Sequence, residues 1–452
     1  MLFTLEFLEE HFPSKIGEYD ASNQIEVIMT DSREKMNNAL FIPIIGDRFD
    51  AHDFIMQAIE NGATAVIWDK RHPVPEAAAS NIAFFLVEDT LKAMQLLAKA
   101  YRQLVQPVVI GITGSNGKTT TKDLISAVVQ RQYRTHATKG NLNNEIGLPI
   151  TVLSMPRDTE VLILEMGMDR FHEIERLTKI AEPNYAIITN IGESHIEYLG
   201  SREGIAKAKL EIIEGLQADG NLVIDGDEPL LNHVKQDQRV ITCGFEHTND
   251  VVLQNIVIDQ KQTFFTYQEE TYHVPLLGKH HAKNASFAVW IGKKLNIRQD
   301  EIQAGFLQMA YTSMRFEWVE GKHGVTLIND AYNASYTSMK GAIDVLKDLP
   351  GFKKKMVVLG DILELGEFAT KMHQQVGEHI TSPIDRLFTI GEEAKEITTT
   401  VKNKEQEILC HHYENRMDLI NDLKKVLDKD TIILFKASRG MRFEEFIDAC
   451  LE

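Results

Sequence analysis

Cysteine is scarce in this 452-residue chain: Cys243, Cys410 and Cys450 stand far apart and form no CxxC pair. That spacing argues against a disulfide framework and against a cysteine zinc site. No run approaches the ~18 unbroken apolar residues of a membrane-spanning helix. The opening MLFTLEFLEEHF carries Glu6, Glu9 and Glu10 where a secretory leader would be basic. Positive charge is also short, with 48 Lys plus Arg against 66 Asp plus Glu and a net charge of −18. Nonspecific nucleic-acid binding relies on basic side chains neutralising phosphates, so no nucleic-acid partner is expected. A phosphorylated small molecule stays open, because a few oriented backbone N–H groups and one lysine hold phosphates even in an acidic protein. These absences predict a cytoplasmic protein without membrane insertion.

Hydrophobic residues at 43% and charged residues at 25% are ordinary for a folded protein, and the length predicts roughly three domains. The first hundred residues read as short strands and helices: IEVIMTDSR, ALFIPIIG, an amphipathic stretch over 53–61, ATAVIWD, then a helix over 90–104. From Pro107 onward, apolar runs (VVIGIT, EVLILEMG, NYAIITNIG, NLVIDGD) alternate with helical patterns, which predicts βαβ units and a parallel sheet. The stretch 240–275 reads instead as an antiparallel excursion. After Met314 the alternation resumes through GVTLINDA, KKMVVLGD, DRLFTIG and TIILFKASRG. The expected fold is α/β in three parts. A small N-terminal domain spans 1–103, a central parallel-sheet domain with the excursion spans 104–313, and a doubly wound Rossmann-like domain spans 314–452.

The sharpest local signal is VVIGITGSNGKTTTKDLISAVVQ, residues 108–130. A strand runs into a glycine turn and then into a helix near Lys118, the context in which a phosphate loop is credible. Gly114 and Gly117 let the backbone curl so that N–H groups of Ser115, Asn116 and their neighbours aim inward. Lys118 is placed to reach the β/γ phosphates, and Thr119 to put its hydroxyl on Mg²⁺. The helix dipole adds positive potential at Thr119 and Thr120. Ile112 stands where the common eight-residue pattern wants glycine, so the spacing is a variant. The bland alternative is an ordinary glycine turn; Gly-Lys-Thr-Thr in this context predicts a nucleoside triphosphate site.

Glu165 ends VLILE and is expected at the carboxyl end of a central strand, the ligand edge of an open α/β sheet. Beside a phosphate loop it is a direct or water-mediated Mg²⁺ ligand. His195 follows the next strand and is either a loop hydrogen-bonder or a ligand. Lys207 and Lys209 in IAKAKLEI present either a solvated face or, after reaction with CO₂, an anionic carbamate; the residues alone leave this open.

Read together, these motifs resemble the Mur ligase family of ATP-dependent amide-forming enzymes of peptidoglycan precursor synthesis. The matching elements are TGSNGKTT, the Glu165 of LEMGM, His195 on GESH, Lys209 in AKL, and GKHHAKNASFA with Asn284 kept and His281 where Asn is usual. Arg315 of SMRFE and Asp330 of IND complete the set. NDAYNASYTSM, VVLGDILELGEFATKMH and KASRGMRFE resemble the branch that adds D-alanyl-D-alanine, and the Asp-Asn-Pro-Arg element of the diaminopimelate-adding branch is absent. Three positions depart: Ser335-Tyr336 for Asn-Pro, Ala51 for Gly and Ala437 for Gly.

The resemblance implies ATP, two Mg²⁺ ions and a carbamylated Lys209, with UDP-MurNAc-tripeptide and D-Ala-D-Ala as substrates of a monomer. Lys118, Glu165, His195, Lys209 and Arg315 take the catalytic roles; Thr119, Glu165, His195 and Lys209 hold metal. Asn284 reads adenine, Arg315 meets the γ-phosphate and Asp330 the ribose or linker. For Arg315 the alternative is a surface ion pair with Glu317. Ser32, Arg33 and the stretch 46–52 are the uridine-diphosphate candidates, although Asp31 could equally cap a turn. Asn141, Asn143 and Asn144 resemble the muramoyl-peptide stretch, with a polar loop as the alternative. Asn333 and Asp361, with Glu364, are candidates for the dipeptide, Asp361 otherwise serving as a helix cap. Rival readings are a ligase adding one diamino acid, a folate polyglutamylating synthase that shares the loop, and an ATP-dependent switch without catalysis.

Overall fold

The structure is a computed structural model and describes every residue except 18, 47, 80–81, 260–261, 310–312, 405–406 and 452. Among the described residues, seven parallel strands form the central sheet, in the order 251–252, 240–244, 221–225, 185–188, 108–113, 161–165 and 135–137. Strand residues alternate between two cores. Val109, Leu162, Ala186 and Leu222 enter one, while Ile110, Ile163, Ile187 and Val223 enter the other. Both faces are covered, which is why these strands read as unbroken apolar runs. Each fully buried Ile or Leu contributes roughly 1.5–3 kcal/mol.

Strand Val108–Thr113 lies between Val161–Glu165 and Tyr185–Ile188. The chain order reverses there, and the crevice beyond the carboxyl ends of these strands is where an open α/β sheet takes a ligand. The antiparallel excursion is narrower than expected. Only Gln254–Asp259, Gln262–Tyr267 and Glu270–Val274 form it, whereas Val240–Gly244 and Val251–Val252 extend the parallel sheet. The β-branched residues of VITC suit either sheet type, so composition alone could not divide them.

The N-terminal sheet orders its strands 15–16, 83–87, 63–69, 39–41 and 27–29, parallel except for the first pair. Its connection to the centre is the helix Thr90–Val105, capped by Asp89, whose carboxylate accepts from Lys92 N. The Tyr101 hydroxyl donates to Met155 O at 2.7 Å. Lys99 and Arg102 both pair with Glu182. Position 103 therefore falls inside a helix that packs on the central unit.

The C-terminal sheet runs 317–320, 326–329, 431–436, 354–359, 386–390 and 409–413, with only the first strand antiparallel. Helix Tyr336–Asp348 precedes its strand Lys354–Leu359 and starts with a capping box between Ser335 and Ser338. No helix among the described residues is long and apolar enough to cross a membrane.

Candidate active site

The turn after strand Val108–Thr113 is built for a close approach. Gly114 (φ 151°) and Gly117 (φ 79°) adopt backbone conformations that disfavour side chains. A Cβ on Gly114 would stand 1.8 Å from Thr189 Oγ1, and one on Gly117 2.9 Å from Asn284 Oδ1. The loop is stitched to residues 189–192. Ser115 N donates to Asn190 O (3.2 Å), Asn116 N to Asn190 Oδ1 (2.9 Å), Thr189 Oγ1 to Asn116 O (2.6 Å), and Gly192 N to Ser115 Oγ (2.8 Å). Helix Lys118–Val129 then begins with its free N–H groups at the loop.

Lys118 Nζ donates to Gly114 O at 2.8 Å. Burial pushes its ammonium below the ordinary value; the Glu165 charge opposes that shift and Arg315 adds to it. Glu165 is buried at the end of its strand, as the apolar run VLIL requires. Its Oε2 accepts from Thr119 Oγ1 (2.9 Å) and its Oε1 from Asn143 Nδ2 (3.0 Å). His195 Nδ1 lies 2.6 Å from Glu364 Oε2 and 3.1 Å from Asp169 Oδ1. The imidazole beside it holds the Glu364 carboxyl below its ordinary value. Lys209 is 2% exposed. Burial and the like charge of Lys118 drive its ammonium well below the ordinary value. Lys207 is instead exposed, over the Phe171 ring.

A cavity of about 910 Å³ opens between the central and C-terminal sheets. It collects Ser115, Asn116, Gly117, Lys118, Thr119, Asn141, Asn143, Asn144, Glu165, His195, Asn284, Arg315, Asp330 and Asn333. Arg315 does not pair with Glu317, whose Oε2 accepts from Ser313, Met314 and Asn329. Its guanidinium lies 4.2 Å from the Tyr332 ring centroid, and its Nε has no partner among the described residues. Asp330 binds Lys436 Nζ at 2.6 Å and accepts from Phe316 N. Asn144 caps helix Gly147–Leu153, accepting from Gly147 N at 2.8 Å.

Several candidates lie outside the cavity wall. Gly114, Thr120 and Lys209 are not among its lining residues. Asp361 is buried, and its Oδ1 accepts from Glu393 N and Ala394 N within the C-terminal unit. Ser32 is buried and donates to Gln57 Oε1. Arg33 is exposed and paired with Asp31, whose carboxyl it holds at about 2. In the same unit His52 stacks on His72, with ring centroids 4.1 Å apart and planes 6° from parallel. Two such rings cannot both aim lone pairs at one ion. Asp169, His280, Tyr332, Thr337, Lys340 and Lys436 also line the cavity. None was singled out by sequence, although Lys436 opens the quoted KASRG.

Three family models cover most of the chain: "Mur ligase family, catalytic domain" over 24–102, "Mur ligase middle domain" over 112–292 and "Mur ligase, glutamate ligase domain" over 314–439. A relative from Bacillus subtilis, named UDP-N-acetylmuramoyl-tripeptide–D-alanyl-D-alanine ligase, is 47% identical over 95% of this chain and 93% of its own. The solved MurF from Acinetobacter baumannii superposes with a TM-score of 0.88 at 27% identity, covering 99% of this chain and 98% of that one. MurF from Thermotoga maritima, solved in complex with ADP, gives 0.83 at 28% identity, covering 94% and 96%. With family models over most of its length and a relative 47% identical over 95% of it, the chain belongs to the Mur ligase family.

Proposed function

We propose that this chain joins D-alanyl-D-alanine to UDP-N-acetylmuramoyl-tripeptide at the expense of ATP, giving the pentapeptide precursor of peptidoglycan. The observation that carries the reading is the single cavity in which the phosphate loop faces Arg315, Asp330 and Asn333 from the other sheet. A carboxylate is a poor electrophile. Transfer of the γ-phosphoryl group to it gives an acyl phosphate; the dipeptide amine attacks that carbonyl, and the tetrahedral intermediate expels phosphate. Such chemistry asks the protein mainly for positioning and charge stabilisation.

Lys118 neutralises the β/γ oxygens when it leaves Gly114 O. Arg315, with an unsatisfied Nε, faces the transferred group from the C-terminal wall. Asn284 lies against Gly117 and reads adenine, and Asp330, fixed by Lys436, meets the ribose or linker. Asn141, Asn143 and Asn333 contact the peptide substrates, and Arg33 is the remaining uridine-diphosphate candidate. The Thr119 hydroxyl bonded to the buried Glu165 carboxylate suits a hard cation that prefers oxygen ligands. Mg²⁺ held by Thr119 and Glu165, with a second ion held by His195 and a carbamylated Lys209, would supply charge neutralisation between the two anions. Lys209 rather than Lys207 fits the carbamate, because burial drives its ammonium well below the ordinary value and so favours the nucleophilic free amine. Closure of the two walls excludes water that would hydrolyse the acyl phosphate. We assign the domains to 1–103, 104–313 and 314–452, and place the enzyme in the cytoplasm as a monomer.

The test is phosphate release over a grid of acceptors and UDP-muramoyl peptides. Release is expected only when the tripeptide substrate and D-alanyl-D-alanine are both present. Release with lysine or diaminopimelate as acceptor would make it the ligase of the third residue, and release indifferent to both substrates would make it a switch.

A further inference from the structure

The segment 189–195 touches three things at once. Asn190 and Gly192 bind the phosphate loop, His195 meets Glu364 of the C-terminal unit, and between them Glu193 is buried. Glu193 Oε2 accepts from Thr337 Oγ1 (2.6 Å) and Thr337 N (3.2 Å), in the first turn of helix Tyr336–Asp348. First-turn N–H groups have no partner within their own helix. Ser335 Oγ satisfies Ser338 N, so Glu193 supplies the partner that Thr337 lacks. A carboxylate at the positive end of a helix dipole is favoured. Its other oxygen has Arg202 3.9 Å away, and Arg202 is itself bonded to Glu228 and Ile191 O. The Ser335 hydroxyl also donates to Asn116 Oδ1 of the phosphate loop at 3.2 Å.

We propose that Glu193 is a positioning residue: through Thr337 it clamps the start of helix Tyr336–Asp348 onto the phosphate loop and so aligns the C-terminal wall of the cavity. With the walls apart, water would replace Thr337 at the Glu193 carboxylate, so the clamp contributes the net strength of a charge-assisted pair of hydrogen bonds. The clamp thereby favours the arrangement in which Arg315 faces Lys118. The inference rests on the nucleotide site proposed above for its kinetic readout, but not for its structural one.

The experiment uses the full chain and two variants from opposite walls, Glu193→Ala and Thr337→Val, the second nearly isosteric. Hydrogen exchange at residues 337–338 is expected to quicken about tenfold in both, with residues 118–129 unchanged, as loss of one charge-assisted hydrogen bond implies. The kcat for phosphate release is expected to fall about tenfold, while ADP dissociation constants stay within about threefold. Glu193→Gln, which keeps an acceptor oxygen, restores most of both. Unchanged exchange at 337–338, or unchanged kcat in a folded Thr337→Val, would overturn the clamp. Failure of the unaltered protein to bind ADP would overturn the nucleotide site instead, leaving the exchange readout to judge the clamp.

Discussion

Thr119 and Glu165, 46 positions apart in the chain, share a 2.9 Å hydrogen bond that joins the first turn of one helix to the end of the neighbouring strand. The bond brings a hydroxyl and a carboxylate to one point beside Lys118. Lys118→Ala and Glu165→Ala are expected to lower turnover by at least about 10³-fold, the scale of removing a preorganised charge from a reaction centre. Circular dichroism should show both variants folded. Near-normal rates in either would refute the assignment.

The two glycines of the loop give a graded expectation. Gly114→Ala puts a Cβ into Thr189 while Gly117→Ala presses on the Asn284 amide, and both sites have positive φ. Strain of about 1–3 kcal/mol should weaken ADP binding by roughly tenfold or more, with Gly114→Ala the worse. Calorimetric titration measures it; equal affinity to the parent chain would mean that the loop does not hold this conformation.

Lys209 offers a trade of stability against activity. Burial holds its native-state ammonium well below the ordinary value, so as pH falls through the alkaline range the unfolded chain takes up this proton first and the lysine destabilises the fold. Lys209→Met should therefore raise Tm by roughly 2 °C or more in bicarbonate-free buffer at pH 7. The gain should shrink as pH rises toward about 10.4, where the unfolded lysine also loses its proton. Turnover should be lost at every pH. A Tm below that of the parent chain at neutral pH would contradict the cost of burying this lysine.

The central sheet was legible because its strands are apolar on both faces, and the phosphate loop because glycine, lysine and threonine follow a strand in fixed order. Glu165 was legible too, since a charge that ends VLIL can only stand at the sheet edge. The partners of Asp361 were not: only the fold brings residues 393–394 to its oxygen. Thr337 and Glu193 lie 144 positions apart, and no local pattern announces such a pairing. Strand Val240–Gly244 was misplaced because parallel and antiparallel partners accept the same residues.

Asp330 and Lys436 form a pair whose side chains are 19% and 3% exposed. Lys436→Met strands the aspartate and should cost roughly 3 kcal/mol, whereas adding Asp330→Asn should recover much of it. Urea unfolding of the four proteins in the cycle measures the coupling, and additive losses would show that the two charges act independently.

Helix Thr90–Val105 carries its own consequence. One of its sides is fastened to Met155 and Glu182, beyond the strand with which the next unit begins. A protease that cuts just after Gln106 should nick the backbone without parting the pieces. Among the described residues around Arg315, where Met314 and Phe316 both turn with positive φ, no helix splints one sheet to the other, so the same nick there should let the last third of the molecule drift away once salt and denaturant loosen its contacts.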